Sequence, residues 1–245
     1  MQAILSDVHG NLAALEAVLD DLYARKVTRV LCLGDLVGYG PQPVECLELA
    51  SKFDIVLKGN HEEAVLTEAV DFNIRAGMAV NWTRERLASD PGGEKRMILL
   101  RGLPEQHVEE DKLLVHGSPR EPTREYIFPG DARDAQKMAA LFERFERFCF
   151  VGHTHVPGVF TEGDGFAHPT ELLKNIFLFE DEKAIINVGS VGQPRDNDPR
   201  ACYVTFDGDS VVFRRVKYDV DKTADLIYKS EGLAKSLGDR LKVGK

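Results

Sequence analysis

Seven side chains of metal-binding types occur in short, glycine-containing motifs spread over the first two thirds of the chain. Imidazole and carboxylate together suit manganese, iron, zinc or cobalt, whereas all-oxygen sites suit magnesium or calcium. One carboxylate could bridge two ions, so the set is large enough for a two-metal site and favours a metal site over a nucleophilic side chain. The candidate ligands are Asp7, His9, Asp35, Asn60, His116, His153 and His155.

Each motif directly follows a short apolar run of the kind found in buried strands. The runs cover residues 3–5, 30–33, 55–57, 113–115 and 148–151. In open α/β sheets the ligand crevice lies beyond the carboxyl ends of the strands, so we expect the five loops to meet at one site. Taken alone, Asp35 could be a turn cap and His116 a structural histidine, but the joint pattern favours metal binding.

Between the first strands lie helical patterns, at 12–22 and 41–50, which predict a β-α-β-α-β opening. We predict one domain over 1–245, with a helical insertion at about 62–90 and a C-terminal hairpin plus helix at about 201–236. Within these limits the sequence predicts helices over 62–89, 131–146 and 222–236, strands near 158–160, 176–179 and 183–188, and a hairpin of 201–206 with 211–218.

Taken in order, the motifs resemble those of the calcineurin-like metallophosphoesterases. They read Asp-x-His-Gly from Asp7, Gly-Asp-x-x-Gly from Gly34, Gly-Asn-His-Glu from Gly59, His-Gly from His116 and Gly-His-x-His from Gly152. Segments 38–41, 116–120 and 187–196 further resemble a bacterial-type subgroup labelled phosphodiesterase or phosphatase. The resemblance implies an α/β fold of two packed mixed β-sheets flanked by helices.

The same resemblance implies a role for each candidate residue. One divalent ion would be held by Asp7, His9, Asp35 and His155, and a second by Asp35, Asn60, His116 and His153. Asp35 would therefore bridge the two ions. His61 would face the substrate as the catalytic residue, stabilising phosphoryl oxygens or protonating the leaving group.

Two divalent cations offset by two carboxylates leave a site of about +2, which attracts phosphate groups. Such ions lower the pKa of bound water to about 7 in favourable cases, and hydroxide can then attack phosphorus without a Ser or Cys nucleophile. We therefore expect hydrolysis of a small phosphorylated or nucleotide-type substrate by two transition-metal ions. Manganese is the expected metal, with iron, zinc and cobalt as alternatives.

The second motif departs from the phosphoprotein phosphatase branch, which has Gly-Asp-x-x-Asp-Arg-Gly. Here Gly38 and Tyr39 replace the aspartate and the arginine. Arg120 and Arg195 are candidate substrate-binding residues in their place. We expect a slight preference for phosphodiesters, with phosphomonoesterase or protein phosphatase activity as the alternative. A non-catalytic scaffold with the same fold is a further alternative, but the intact motifs favour an enzyme.

The composition limits the possible partners. The 245 residues carry a formal net charge of −9, which argues against binding to extended nucleic acids. Without an apolar run of about 20 residues or a secretory signal pattern, we expect a cytoplasmic protein that does not span a membrane. We expect Cys32, Cys46, Cys149 and Cys202 to be buried, reduced thiols. The sequence leaves the oligomeric state open.

Overall fold

Two six-stranded sheets and the helices that cover them make up the computed structural model, which describes residues 1–70, 72–89 and 91–245. In chain order the elements are β1 (Gln2–Leu5), α1 (Leu12–Ala24), β2 (Arg29–Cys32), α2 (Pro43–Ala50), β3 (Ile55–Val56), α3 (Asn60–Leu66), α4 (Ile74–Ala88), α5 (Gly93–Gly102), β4 (Gln106–Glu109), β5 (Lys112–Val115), α6 (Ala135–Phe142), β6 (Phe148–Val151), β7 (Gly158–Thr161), β8 (Gly165–Ala167), β9 (Ile176–Leu178), β10 (Ala184–Asn187), β11 (Ala201–Phe206), β12 (Ser210–Val216), α7 (Val220–Lys229) and α8 (Lys235–Leu241). Short 3-10 helices cover Pro129–Arg133, Pro169–Glu171 and Leu173–Asn175.

The first sheet has the order β3-β2-β1-β11-β12-β9. Its first three strands are parallel, with Leu5 opposite Cys32, and β11 then pairs antiparallel to β1. Helix α1 connects β1 to β2 and begins after Asn11, whose side chain accepts a hydrogen bond from the Ala14 N–H. The predicted β-α-β-α-β opening is thereby confirmed.

The second sheet has the order β4-β5-β6-β10-β7-β8, with β5, β6 and β10 parallel. The two sheets pack face to face, since one buried cluster combines Ile4 and Leu31 of the first sheet with Phe148 and Ile186 of the second. Helices α1 and α2 cover the outer face of the first sheet, and α6 covers that of the second. The expected fold class, two mixed sheets flanked by helices, is confirmed.

Several element boundaries differ from the sequence prediction. Helices α3 and α4 lie in the range predicted for the helical insertion, whose predicted last residue, Asp90, lies outside the described residues. The predicted helix over 131–146 is shorter, because a 3-10 helix precedes α6. The predicted terminal helix is two helices, α7 and α8, separated near Gly232, which has a φ of +101° and leaves no space for a Cβ against Trp82.

Helix α5 and strand β4 were not predicted from the sequence. The helix follows directly on a Pro-Gly-Gly segment that the sequence prediction interpreted as a helix breaker. Its apolar residues form a continuous run instead of a helical period, and Ile98 and Leu99 are exposed. Among the described residues no helix is both long and apolar enough to cross a membrane. All four cysteines are free and buried, as expected.

Candidate metal centre

The loops after β1, β2, β3, β5 and β6 meet where the two sheets join. They bring together three groups of buried side chains whose candidate ligand atoms lie within 4.8 Å of one another. The groups are Asp7 with His9 and His155, His9 with Asp35 and His61, and Asp35 with His116 and His153. Asn60 completes the third group through its side-chain oxygen, 3.1 Å from His116 Nε2. All seven predicted ligands and His61 therefore lie in one centre.

In the first half of the centre, oxygen and nitrogen atoms converge at short distances. Asp7 Oδ1 lies 3.1 Å from His155 Nε2 and 3.6 Å from His9 Nε2. Asp35 Oδ2 lies 3.7 Å from the same nitrogen of His9. Four candidate ligand atoms, from three separate loops, thus surround one point.

The second half is arranged around His116 Nε2. This nitrogen lies 3.0 Å from His153 Nδ1 and 3.4 Å from Asp35 Oδ2. Asp35 Oδ2 is therefore close to both halves, as a bridging carboxylate oxygen would be.

The hydrogen bonds on the far side of each ring fix which nitrogen carries the proton. His9 Nδ1–H donates to Val37 O at 3.1 Å, and His155 Nδ1–H donates to Gln193 O at 2.5 Å. The two Nε2 atoms, 3.1 Å apart, are then both unprotonated and cannot bond to each other. Lone pairs facing one another in this way fit a cation between them.

Two further atoms point to the same conclusion. His153 Nε2–H donates to Arg124 O at 3.1 Å, which leaves its Nδ1 unprotonated inside the centre. Asp7 Oδ1 is buried and has no hydrogen-bond partner among the described residues. A buried carboxylate oxygen without a donor is costly unless a cation is near, so the donor set fits metal ions.

Backbone groups orient both carboxylates. The His153 N–H donates to Asp7 Oδ2 at 3.0 Å, and the His61 N–H donates to Asp35 Oδ1 at 2.9 Å. Each carboxylate is thus held by a neighbouring motif and keeps its other oxygen for the centre. Gly152 permits the first contact, because a Cβ there would lie 2.5 Å from Asp7 Oδ2.

Glu62 connects the second and third motifs through buried hydrogen bonds. Its carboxylate accepts hydrogen bonds from the N–H groups of Asp35 and Gly59 at 2.8 Å and of Val37 at 3.1 Å. Burial, followed by the charge of Asp35, raises the pKa of Glu62 to about 7. Sequence reasoning assigned it no role, although its place at the end of the Gly-Asn-His-Glu motif was a signal.

Several candidate ligands have left-handed backbone conformations. The φ angles are +57° at Asp7, +50° at His9, +53° at Asp35, +65° at His153 and +62° at His155. This conformation costs about 1–2 kcal/mol for each residue with a Cβ. Strain of this kind concentrates at functional sites, where the surrounding structure holds the side chains in position.

The protonation of the ligand rings differs across the centre. Burial lowers the pKa of His153 to about 3 and that of His155 to about 4, so both rings are neutral at pH 7. For His116 burial is outweighed by Asp35, and the pKa is raised to about 9. At Asp7 burial, which raises the pKa, is outweighed by the combined interactions with His155, His9 and His116, and the pKa lies well below the ordinary range.

His61 lies at the edge of the centre, with Nε2 4.0 Å from Asp35 Oδ2. Its Nδ1 is buried without a partner among the described residues, and a Cβ at Gly38 would lie only 2.0 Å from that atom. Glycine therefore takes the place where the phosphatase branch has an aspartate. The Tyr39 ring packs 4.5 Å from the His61 ring and 4.8 Å from the His9 ring.

The three arginines near the centre have different surroundings. Arg120 pairs with Glu125 and does not line the adjoining cavity of about 180 Å³, so its substrate role stays a prediction. Arg195 donates to Gln193 at 2.9 Å, and its charge opposes the burial that raises the pKa of Tyr39. The Arg195 Nε is buried without a partner in the described part of the chain. Arg124, which sequence reasoning missed, lines the cavity together with Tyr126.

Tyr126 was also missed, since no motif includes it. Its ring stacks on His153 at 3.7 Å between centroids and helps to hold that imidazole.

Comparison with known proteins adds independent evidence. The calcineurin-like phosphoesterase superfamily domain matches residues 1–210. An uncharacterized protein of Methanocaldococcus jannaschii, MJ0912, is 37% identical over 256 residues, which cover 100% of this chain and 98% of the relative.

Two solved structures resemble the whole chain. A metallophosphoesterase from Sphaerobacter thermophilus is 38% identical, with a TM-score of 0.86 and coverage of 100% of this chain and 99% of that one. The hypothetical protein PH1004 from Pyrococcus horikoshii OT3 shares the fold at 21% identity and a TM-score of 0.76, with the same coverage. The chain therefore belongs to the calcineurin-like phosphoesterase superfamily of metal-dependent phosphoester hydrolases.

Proposed function

We propose that the centre holds two divalent transition-metal ions and that the protein hydrolyses phosphate esters, with a slight preference for phosphodiesters. The observation that carries the proposal is the pair of side-chain groups that share Asp35 Oδ2, in which imidazole nitrogens and an unpartnered carboxylate oxygen of Asp7 face one another. Asp7, His9, Asp35 and His155 would hold one ion. Asp35, Asn60, His116 and His153 would hold the other.

When bound, the ions supply positive charge for phosphoryl oxygens and lower the pKa of water. The proposed ligand set of four imidazole nitrogens and three side-chain oxygens favours manganese, iron, zinc or cobalt over calcium. We propose manganese as the metal in the cell. The chain's own contribution is to orient the rings and to direct one nitrogen of each toward the centre, through the carbonyl groups of Val37, Gln193 and Arg124.

We assign His61 to the substrate and not to a metal. Burial holds its pKa well below the ordinary value, so the ring is neutral and carries one N–H. With Nε2 directed toward Asp35, that proton would be donated to a phosphoryl oxygen or to the leaving group. The phosphatase-type aspartate partner is absent at Gly38, so the ring is positioned by packing against Tyr39 and by contact with Phe72.

The phosphodiester preference follows from the second motif. A monoester dianion is best bound by a bidentate arginine beside the metals. Tyr39 occupies that position, whereas a diester carries a single charge that two cations can hold.

Arg195 supports the alternative, a phosphomonoesterase, because its charge acts on Tyr39 beside the centre and its Nε is buried without a partner among the described residues. We therefore propose both a diesterase assay and an Arg195→Ala variant. If simple monoesters or phosphopeptides were strongly preferred and Arg195→Ala abolished the preference, the monoesterase or protein phosphatase assignment would replace ours.

The test is metal-dependent hydrolysis by the full chain. Protein purified without chelator should contain about two transition-metal ions, lose activity with chelator and regain it with Mn²⁺. Bis(p-nitrophenyl) phosphate should be hydrolysed with a kcat/KM at least equal to that for p-nitrophenyl phosphate, and phosphopeptides should be poor substrates. Full activity of metal-free protein would disprove the proposed chemistry.

A further inference from the structure

A groove of about 1020 Å³ lies between α4 and α8, next to the metal centre. It shares Tyr39, Phe72, Asn73 and Ala76 with the smaller cavity that adjoins His153. Tyr39 and Phe72 both contact His61, with ring centroids 4.5 and 4.9 Å from its ring. The groove therefore adjoins both the smaller cavity and the rings that contact His61.

The groove carries an excess of positive charge. Its lining includes Arg75, Arg240 and Lys245 against one carboxylate, that of Asp239, which accepts a hydrogen bond from the Tyr228 hydroxyl. None of these three side chains pairs with an Asp or Glu side chain within residues 1–70, 72–89 and 91–245, and the Arg240 Nε–H donates to Lys245 O. The remaining surface has many paired arginines, such as Arg200 with Asp198 and Arg25 with Asp21.

The guanidinium groups influence one another across the groove. Burial, then the charges of Arg195 and Arg75, lowers the pKa of Arg240. Like charges brought together without an anion are unfavourable, and a bound anion would relieve the repulsion. Arg195 connects this cluster to the centre, since its backbone N–H donates to His155 O at 3.2 Å and its charge acts on Tyr39.

The smaller cavity beside His153 is lined by more negative than positive side chains. It contains Glu63 and Glu68, and Glu63 accepts hydrogen bonds from Arg124 at 2.6 and 3.1 Å. A second anionic group of a substrate would be repelled on that side and attracted on the side of α8. The charge distribution thus favours a substrate orientation in which the second anionic group lies toward α8.

We propose that the α4–α8 groove binds a second phosphate group of the substrate, so that the natural substrate is a phosphate ester with another phosphate on the same molecule. This inference rests on the proposed function, because it places the ester at the metal centre. Arg240 and Arg75 would contact the second phosphate, and Arg195 would lie between the two anionic groups.

The test compares two matched esters, thymidine 5′-(p-nitrophenyl phosphate) and the same compound with a phosphate on its 3′ oxygen. A charged hydrogen bond to phosphate corresponds to about a 10- to 100-fold effect. We expect the 3′-phosphorylated ester to have a kcat/KM higher by that factor with the Mn²⁺-loaded full chain. Arg240→Gln and, separately, Arg75→Ala should bring the ratio close to one.

Lys242→Ala is the matched control, because it removes a cation at the end of α8 that pairs with Asp221 and does not line the groove. It should keep the wild-type ratio. A wild-type ratio near one, or a ratio unchanged in both arginine variants, would overturn the proposal. An equal fall in the Lys242→Ala ratio would also overturn it, since general electrostatics would then explain the preference.

A binding measurement separates this inference from the proposed function. Titration calorimetry should give thymidine 3′,5′-bisphosphate a lower Kd than thymidine 5′-monophosphate, and Arg240→Gln should remove the difference. If neither ester is hydrolysed but this difference holds, the proposed function fails and the groove is supported. Equal Kd values for the two nucleotides would contradict the groove regardless of activity.

Discussion

The metal centre and the α4–α8 groove lie on either side of Tyr39 and are built in different ways. In the centre the side chains are buried, come from loops at strand ends and are fixed by backbone hydrogen bonds, such as those on Asp7 and Asp35. In the groove, Arg75 and Lys245 are exposed and come from helix α4 and the segment after α8. From this difference we expect the strand-end loops to determine the reaction and the two helices to determine which second group the substrate carries.

The largest effect should follow from Asp35→Ala, which tests whether the two halves of the centre depend on one carboxylate. Loss of a bridging ligand would release both ions. The transition state would then lose several kcal/mol of stabilisation by positive charge, so activity should fall at least about 10³-fold. Metal analysis should find far fewer than two ions per chain. Asp20→Ala, on the exposed face of α1, is the control. Retention of both metals and of wild-type turnover would refute the bridge.

His61→Ala should come next and should affect the reaction without affecting metal content. Removal of a general acid or an oxyanion donor lowers the rate about 10²- to 10⁴-fold. Metal analysis of the variant should still find both ions, in contrast to Asp35→Ala. Loss of one ion would make His61 a ligand, in line with its place in the group with His9 and Asp35.

Glu62→Gln tests whether the rigidity of the centre comes from buried backbone contacts. The amide would place an N–H₂ group against one of the three N–H donors, which costs about 3 kcal/mol. For a chain of this size the Tm should fall by about 6–12 °C. Glu48→Gln, on the exposed face of α2, should leave Tm unchanged, and an equal Tm for wild type and Glu62→Gln would show that the contacts add no stability.

The sequence predicted that the candidate ligands come together because each of them closely follows a strand and belongs to a local motif; their role as ligands stays a prediction. The parallel strands of each sheet bring such residues to one end of that sheet. The two ends meet where the sheets join, so Asp7 of the first sheet lies close to His153 of the second although the two are far apart in the chain. Arg124, Tyr126 and Arg240 could not be predicted in this way. Their positions depend on loop paths and helix packing, for which hydrophobic periodicity gives no signal.

The same limit applies to the elements. The buried strands were predicted because continuous apolar runs are a strong local signal. Helix α5 was missed because its apolar residues have no helical period, and the separation of α7 from α8 depends on contact between Gly232 and Trp82. Tertiary contacts determined these boundaries.

The smallest effect concerns the loop that carries Arg195 between the two regions. The side chain of Asp196 is almost fully buried and pairs with Arg215 of β12. His168 Nε2 lies 3.5 Å from Asp196 Oδ2. Although burial would raise the pKa of Asp196, His168 and Arg215 outweigh it and hold the pKa below the ordinary value of 3.8. Asp196→Asn should therefore cost about 1.5 kcal/mol of unfolding free energy at pH 7.

Because the folded-state pKa of Asp196 is lowered, its contribution should be present in full well above pH 4 and lost as the pH falls through the folded-state value. Urea unfolding of wild type and Asp196→Asn should therefore converge in acid. Asp207→Asn, in the exposed turn before β12, is the control for general charge effects. If the Asp196→Asn difference persisted unchanged at pH values where the carboxyl is protonated, the ion pair would not be its cause. In the native pH range, Asp196→Asn should raise KM, because the ion pair of Asp196 holds the loop in which the neighbouring Arg195 lies. The metal content should be unchanged, because the partners of the Asp196 side chain in the described part of the chain are Arg215 and His168, which are not candidate ligands.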